Sequence, residues 1–276
     1  MLLSIVIPTY HRNDLLKLCL EALSPISQTL DKRFYEVIVT DDGNNSNAKK
    51  MINNEFPWCT WVKGPQVGPA SNRNHGAKCA KNEWIIFIDD DCVPDKNLLF
   101  NYKKAQEENP NIDVFEGCIK ADRPQMRFDE ESPVNLNGGN MWSCNFMISK
   151  KIFNKVGGFD ENFPSPAMED MDLRETLKDN GKEILFVDEA FVIHPWRESR
   201  NISFVKKHHS AYVYYSKKHK KIREEESVLK AFKIYYKNCL FIFKNMFKFK
   251  FKGIFKHFLN VNYSLFLNLR YFLLDR

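Results

Sequence analysis

The sequence has no CxxC pair and no cysteine–histidine spacing of the zinc-binding kind, although it holds seven cysteines, at 19, 59, 79, 92, 118, 144 and 239. An odd, scattered set does not read as a disulfide framework, and its simplest reading is reduced thiols in a cytosolic protein. Also missing is any run of about 18 uninterrupted apolar residues, the length a membrane-spanning helix needs. The opening MLLSIVIPTYHR lacks a basic n-region and its apolar run is only one strand long, so it is not read as a secretion signal. No internal repeat is visible. The segment PTYHRND after the first apolar run contains no glycine. That argues against the glycine-rich phosphate loop expected of a nucleotidyltransferase.

Acidic residues are nearly absent from one region. From Val228 to Arg276, eight Lys and two Arg face a single acid, Asp275, a net charge of +9. The whole chain carries +6, so residues 1–227 carry −3. The basic character belongs to the tail, and the body is not a nucleic-acid module by charge. At 276 residues, 43% hydrophobic and 28% charged, the chain is long enough for one large domain, with or without an appendage.

What is present alternates strand, turn and helix. LLSIVIP (2–8) is a β-branched apolar run ended by proline, and reads as a strand buried on both faces. NDLLKLCLEALS follows with helical spacing and Asn13 as N-cap. Further strands are expected at YEVIVT, CTWVKG, EWIIFI and DVFEGCIK. Helices are expected at NSNAKKMINNEF, GPASNRNHGAKCAKN and DKNLLFNYKKAQEEN. The pattern predicts an α/β fold with right-handed crossovers.

In such sheets ligands bind beyond the carboxyl ends of the strands. Three polar clusters fall there: PTYHR after the first strand, DDG after the second and DDD after the fourth. DDG alone is usually a turn, and Pro-Thr alone a strand stop; together on one sheet edge they favour a site. Residues 121–139 read as a long loop of the kind that covers a site. A strand and a helix start follow. Met168 to Asn180 reads as a helix stopped by Gly181, with Glu169 and Asp170 in its first turn, where a helix dipole favours anions. Asp172 is expected to be solvated. EILFV and AFVIHPW read as two strands, the second closing on His194, which is either a packed residue or a ligand.

The ordered landmarks SIVIPTYHRNDLL, EVIVTDDGNNSN, GPASNRNHGAKCAKNEWIIFIDDDCVPD and VGGFDENFPSPAMEDMDLRETLKDNG together resemble the family 2 glycosyltransferases of the GT-A fold, over residues 2–196. The resemblance implies a mixed, mostly parallel central sheet flanked by helices, with a helical C-terminal extension. It implies a catalytic domain over 1–200, with a nucleotide-sugar half (1–120) and an acceptor half (121–200), and a basic aromatic helical region over 201–276. It also implies a metal-dependent inverting transfer of a sugar, from a UDP-sugar by preference, to a hydroxyl of a glycan or lipid-linked acceptor in bacterial surface polysaccharide synthesis. The alternatives are another nucleotide-diphosphate enzyme or a non-catalytic membrane-binding relative.

By the family pattern, Pro8, Thr9 and Tyr10 line the nucleoside pocket with Arg12 close by. Asp41 or Asp42 accepts from a pyrimidine N3–H, and Arg73 approaches the base or phosphates. Asp91 is the main ligand of a Mn²⁺ or Mg²⁺ ion, Asp89 faces the ribose or the metal, and Asp90 sits near the donor sugar. Hard carboxylate oxygens suit such ions. His194 matches a further metal-ligand position. Asp170 resembles the catalytic base, and Glu169 beside it holds an acceptor hydroxyl.

In the tail, FIFKNMFKFKFKGIFKHFLNVNYSLFLNLRYFLL mixes phenylalanine with lysine and reads as two amphipathic helices linked near Gly253. That composition suits the cytoplasmic face of an inner membrane rich in anionic lipid. The other readings are packing on the protein itself or a homodimer. Nucleic acid is not expected as a partner.

Overall fold

Continuous burial of LSIVIPT makes it β1 (Leu3–Thr9), the strand on which the rest of the sheet is laid. The chain continues through α1 (Asn13–Ala22), β2 (Tyr35–Asp41), α2 (Ala48–Glu55), β3 (Thr60–Lys63) and α3 (Pro69–Cys79). Then come β4 (Trp84–Ile88), β5 (Val93–Pro94), α4 (Leu98–Glu108), β6 (Val114–Ala121) and the short β7 (Glu130–Glu131). After these follow β8 (Asn145–Ser149), α5 (Lys150–Lys155), α6 (Glu169–Asp179) and β9 (Ile184–His194). α1 begins at Asn13 itself, with Arg12 in the cap position and no side-chain cap. Its buried face of Leu16, Cys19 and Leu20 is the one the helical spacing expects.

This is a computed structural model, describing residues 1–275; Arg276, the end of the expected tail, lies outside the described residues. The chain divides into two units. The first comprises residues 1–122, 133–161 and 169–195, and the second comprises 123–132, 162–168 and 196–276.

The first unit carries an eight-stranded sheet of order β3-β2-β1-β4-β8-β6-β9-β5. Strands β3, β2, β1 and β4 are mutually parallel, β8 runs antiparallel to both β4 and β6, and β9 is parallel to β6. Two buried clusters cover the two faces. One holds Ile5, Leu16, Leu20, Ile86 and Tyr102; the other holds Val6, Phe87, Phe146, Phe159 and Leu173. Alternate residues of β1 and β4 supply the two sides, as a period of two requires. Parallel β1, β2 and β4 end on one edge, so PTYHR, DDG and DDD are neighbours there; Asp42 N–H donates to Thr9 O at 3.0 Å.

Two expectations are corrected. EILFV and AFVIHPW form one strand, β9. The register against β6 jumps from Gly117–Val187 to Cys118–Phe191, and Asp188 and Glu189, which look like a turn, ride an exposed bulge. Asn145 Nδ2 closes the irregularity, donating to Cys118 O and Ala190 O at 2.9 Å each. Asp172 is not solvated: it is 2% exposed. It lies between Glu169 and the core residues Leu173 and Leu177 on the buried side of α6.

The second unit pairs β7 with β10 (Arg197–Glu198). It continues through α7 (Ile202–Lys218), α8 (Lys220–Glu225), α9 (Val228–Asn245) and α10 (Ile254–Arg270) to a closing π-helical turn, Tyr271–Asp275. The FKFKFK alternation is a helix-linking turn rather than a strand. Among the described residues, no helix is long and apolar enough to cross a membrane.

Candidate active site

All the candidate residues lie in the first unit. Three adjacent carboxylates at the tip of a buried strand repel one another unless cations are interleaved. Two arginines do this. Arg12 grips Asp90 through Nη2 (2.5 Å to Oδ1) and Nε (3.2 Å to Oδ2), and reaches Asp91 Oδ2 through Nη1 at 2.9 Å. Thr9 Oγ1 donates to Asp90 Oδ2 at 2.7 Å. Burial pushes the Asp90 carboxyl up to about 7, against the opposing pull of Arg12 and Thr9. Asp89 turns the other way: its Oδ1 takes Arg73 Nη2 at 2.7 Å.

The same Arg73 joins the rim to the second acidic pair. Its Nη1 lies 3.1 Å from Glu169 Oε1, so one guanidinium connects Asp89 with the start of α6. Burial works to lower the Arg73 pKa, but Asp89 and Glu169 outweigh it and leave it raised. Asp170 accepts from Ser143 N–H at 3.3 Å and from its neighbour Met171 N–H at 2.8 Å. Burial raises the pKa of both members of this pair. For Glu169 the charge of Asp170 adds to it, and for Asp170 the backbone donors and Arg73 oppose it.

A metal-type cluster sits at the end of the rim. Ligand atoms of Asp91, Cys92 and His194 all lie within 4.8 Å of one another. His194 Nδ1 is 2.9 Å from Pro195 O, which sets Nδ1 as the protonated nitrogen and turns Nε2 toward Asp91 Oδ1, 3.4 Å away. Burial lowers the His194 pKa and the hydrogen bond and charge of Asp91 raise it, with the raising effects ahead. One carboxylate and one imidazole fit a Mn²⁺ or Mg²⁺ ion. Cys92 does not: burial holds its thiol well above its ordinary pKa, and it hydrogen-bonds the free thiol of Cys144 within the core. Asp89, expected as a second ligand, is outside this cluster and on Arg73.

The residues expected around a nucleoside divide by exposure. Pro8 and Thr9 are buried and Tyr10 is exposed. Asp41 Oδ2 receives Trp61 Nε1 at 3.2 Å, and Asp41 Oδ1 receives Gly43 N–H at 2.9 Å. Asp42 accepts the amides of Gln66 and Gly68 at 2.9 and 3.1 Å, and so shapes the turn into α3. Gly64 makes this possible, since a Cβ there would meet Asp42 Oδ1 at 2.2 Å. Of the two aspartates, Asp42 is the one fully engaged by backbone donors.

Sequence reasoning missed Glu116. It is buried in β6 and accepts from Asn135 Nδ2, Gly139 N–H, Asn140 N–H and Met141 N–H at 2.5–2.8 Å. These bonds pin the segment that delivers Ser143 N–H to Asp170. The available signal is a lone carboxylate inside an apolar strand, with a polar glycine pair some twenty residues on to supply donors.

Residues 4–157 match the family described as Glycosyl transferase family 2. A poly(ribitol-phosphate) beta-glucosyltransferase of Bacillus spizizenii is 30% identical over 141 residues, covering 48% of this chain and 22% of that protein. A GalNAc(5)-diNAcBac-PP-undecaprenol beta-1,3-glucosyltransferase of Campylobacter jejuni is 24% identical over 204 residues, 70% of this chain and 62% of its own length. The chain thus spans less than two thirds of these relatives. Among solved structures, S. aureus TarS 1-349 in complex with UDP-GlcNAc has a TM-score of 0.58 at 23% identity, covering 75% of this chain and 64% of that one. The mannosyltransferase PcManGT of Pyrobaculum calidifontis, in complex with GDP-Man and Mn2+, has a TM-score of 0.62 at 16% identity, covering 82% and 65%. The fold is that of these GT-A transferases.

Proposed function

The chain belongs to glycosyl transferase family 2, and on that footing we propose that it moves a sugar from a nucleotide-diphosphate sugar to an acceptor hydroxyl with inversion. The observation that carries this reading is the Arg73 bridge, which puts the acidic rim and the Glu169–Asp170 pair on either side of one side chain.

Inverting transfer is a single in-line displacement at the anomeric carbon. It needs one carboxylate to take the acceptor proton, and no carboxylate nucleophile. Asp170 has that role: two backbone N–H groups fix its orientation, and burial lifts its pKa toward the working pH, which strengthens it as a base. Arg73 holds Glu169 beside it, available to an acceptor hydroxyl. Asp91 and His194 would hold the divalent ion, with Asp89 and Asp90 completing the acidic surround. When bound, that ion supplies charge neutralisation for the departing diphosphate. Asp41, at the end of β2 and anchored by Trp61, is the acceptor for a pyrimidine N3–H.

A UDP-sugar is the favoured donor, in line with the UDP-GlcNAc held by TarS. The favoured acceptor is a glycan or lipid-linked saccharide. Support comes from the poly(ribitol-phosphate) and undecaprenol-linked substrates in the relatives' names; an acceptor of the lipid-linked kind would require the enzyme to work peripherally, at the cytoplasmic face of a membrane. Thermal shift with UDP, GDP and dTDP, each with Mn²⁺ and then with chelator, tests the reading. Stabilisation by UDP that chelator abolishes supports it. No shift with any nucleotide and Mn²⁺ would contradict it.

A further inference from the structure

The turn between α9 and α10 is built unlike an ordinary surface loop. Phe243, Phe247, Phe251 and Phe255 recur every fourth residue, and are 72%, 79%, 52% and 72% exposed. Phe247 and Phe251 stack edge to face at 6.0 Å, so two of the outward rings are in contact at the tip of the turn. Around them Lys244, Lys248, Lys250 and Lys252 are exposed, and no acid occurs from Val228 to Leu274.

This display is anchored from beneath. Phe249, the middle phenylalanine of FKFKFK, turns inward and is 3% exposed. It packs on Phe128 at 5.0 Å and Phe241 at 6.1 Å. Phe128 N–H donates to Lys252 O at 3.0 Å. Gly253 closes the turn at φ +72°, and a Cβ there would fall 1.8 Å from Asp129 Oδ1, so only glycine fits. One ring holds the turn down while its neighbours are offered to solvent.

Exposed aromatic rings in water are unfavourable unless a partner covers them. The surrounding lysines repel a second copy of the same patch, and they complement a negative surface. We propose that residues 243–256 form a preformed wedge that seats on an anionic phospholipid bilayer, with the phenylalanines in the headgroup–acyl boundary and the lysines on the phosphates. This is independent of the reaction assigned to the first unit.

The test is sedimentation of the full chain with vesicles of phosphatidylcholine alone and of phosphatidylcholine with phosphatidylglycerol. Preferential binding to the anionic vesicles, weakened by salt, is expected. A Phe247→Ser/Phe251→Ser variant and a Lys244→Glu/Lys250→Glu variant should each bind about tenfold less. Both change exposed side chains and leave Phe249 in place, so the melting temperature should hold. Equal partition to both vesicle types, or binding unaffected by either variant, overturns the proposal. So does a dimer on size-exclusion chromatography that the phenylalanine variant splits, which would make the patch a self-interface.

Discussion

Arg12 Nη1 lies 2.9 Å from Asp91 Oδ2, on the same carboxylate whose Oδ1 faces His194. The rim therefore carries its own cation, and Asp91 presents one oxygen to it and one to the metal-type cluster. The same arginine compensates Asp90, which has no exposure to solvent.

Removing that cation leaves a buried carboxyl short of a partner. Arg12→Ala should lower stability in urea by about 1–3 kcal/mol, and Asp90→Asn added to it should restore part of the loss, because the stranded charge is then gone. An Arg12→Ala protein as stable as the parent would show that Thr9 alone satisfies Asp90.

The fit of Asp91 and His194 to a hard divalent ion has a direct readout. Asp91→Ala and His194→Ala should each weaken Mn²⁺ binding in calorimetry, by at least about tenfold for Asp91. Chelator should remove transfer activity and Mn²⁺ should restore it. Unchanged Mn²⁺ affinity in both variants would move the ion elsewhere.

Arg73 is buried and divides its fork between Asp89 and Glu169. Arg73→Lys keeps the charge but cannot bridge two carboxylates with one planar group. Transfer should fall about a hundredfold, the effect of misplacing groups by an ångström, with kcat affected more than KM. A change confined to KM would limit Arg73 to donor binding.

With Asp170 as the base, the acid limb of the rate profile should report the Glu169–Asp170 pair. A carboxylate base works ionised, so activity is present above its pKa and lost as pH falls through it. Burial raises both groups above their ordinary 4.5 and 3.8. The limb in kcat at saturating donor should therefore lie above the ordinary carboxylate range. A limb at the ordinary values would mean that the base is solvated and lies elsewhere.

The parts of this site that a sequence shows are those with local patterns. β1 and β4 are visible because burial on both faces leaves an unbroken apolar run, and DDD and the Glu169–Asp170 pair stand out because they interrupt such patterns at element ends. The contacts that organise the site are long-range. Nothing near Arg73 indicates that it joins residues 89 and 169, and nothing near Glu116 names the amides of 139–141 as its donors. Asp172 misleads because an acid in a helix's first turn ordinarily faces water. Asp188 and Glu189 mislead because a polar pair between apolar runs resembles a turn, although pairing with β6 carries them as a bulge.

The account stands on Asp170 as the group that takes the acceptor proton at a site where the donor is held by other residues. The most direct measurement compares Asp170→Asn with the parent, reading donor-nucleotide binding in the presence of Mn²⁺ by calorimetry and sugar transfer in the same preparation. Binding within about twofold of the parent, with transfer reduced by about 10²–10⁴, is the predicted result. Transfer at near-parental rates, or nucleotide binding lost together with turnover, would contradict it.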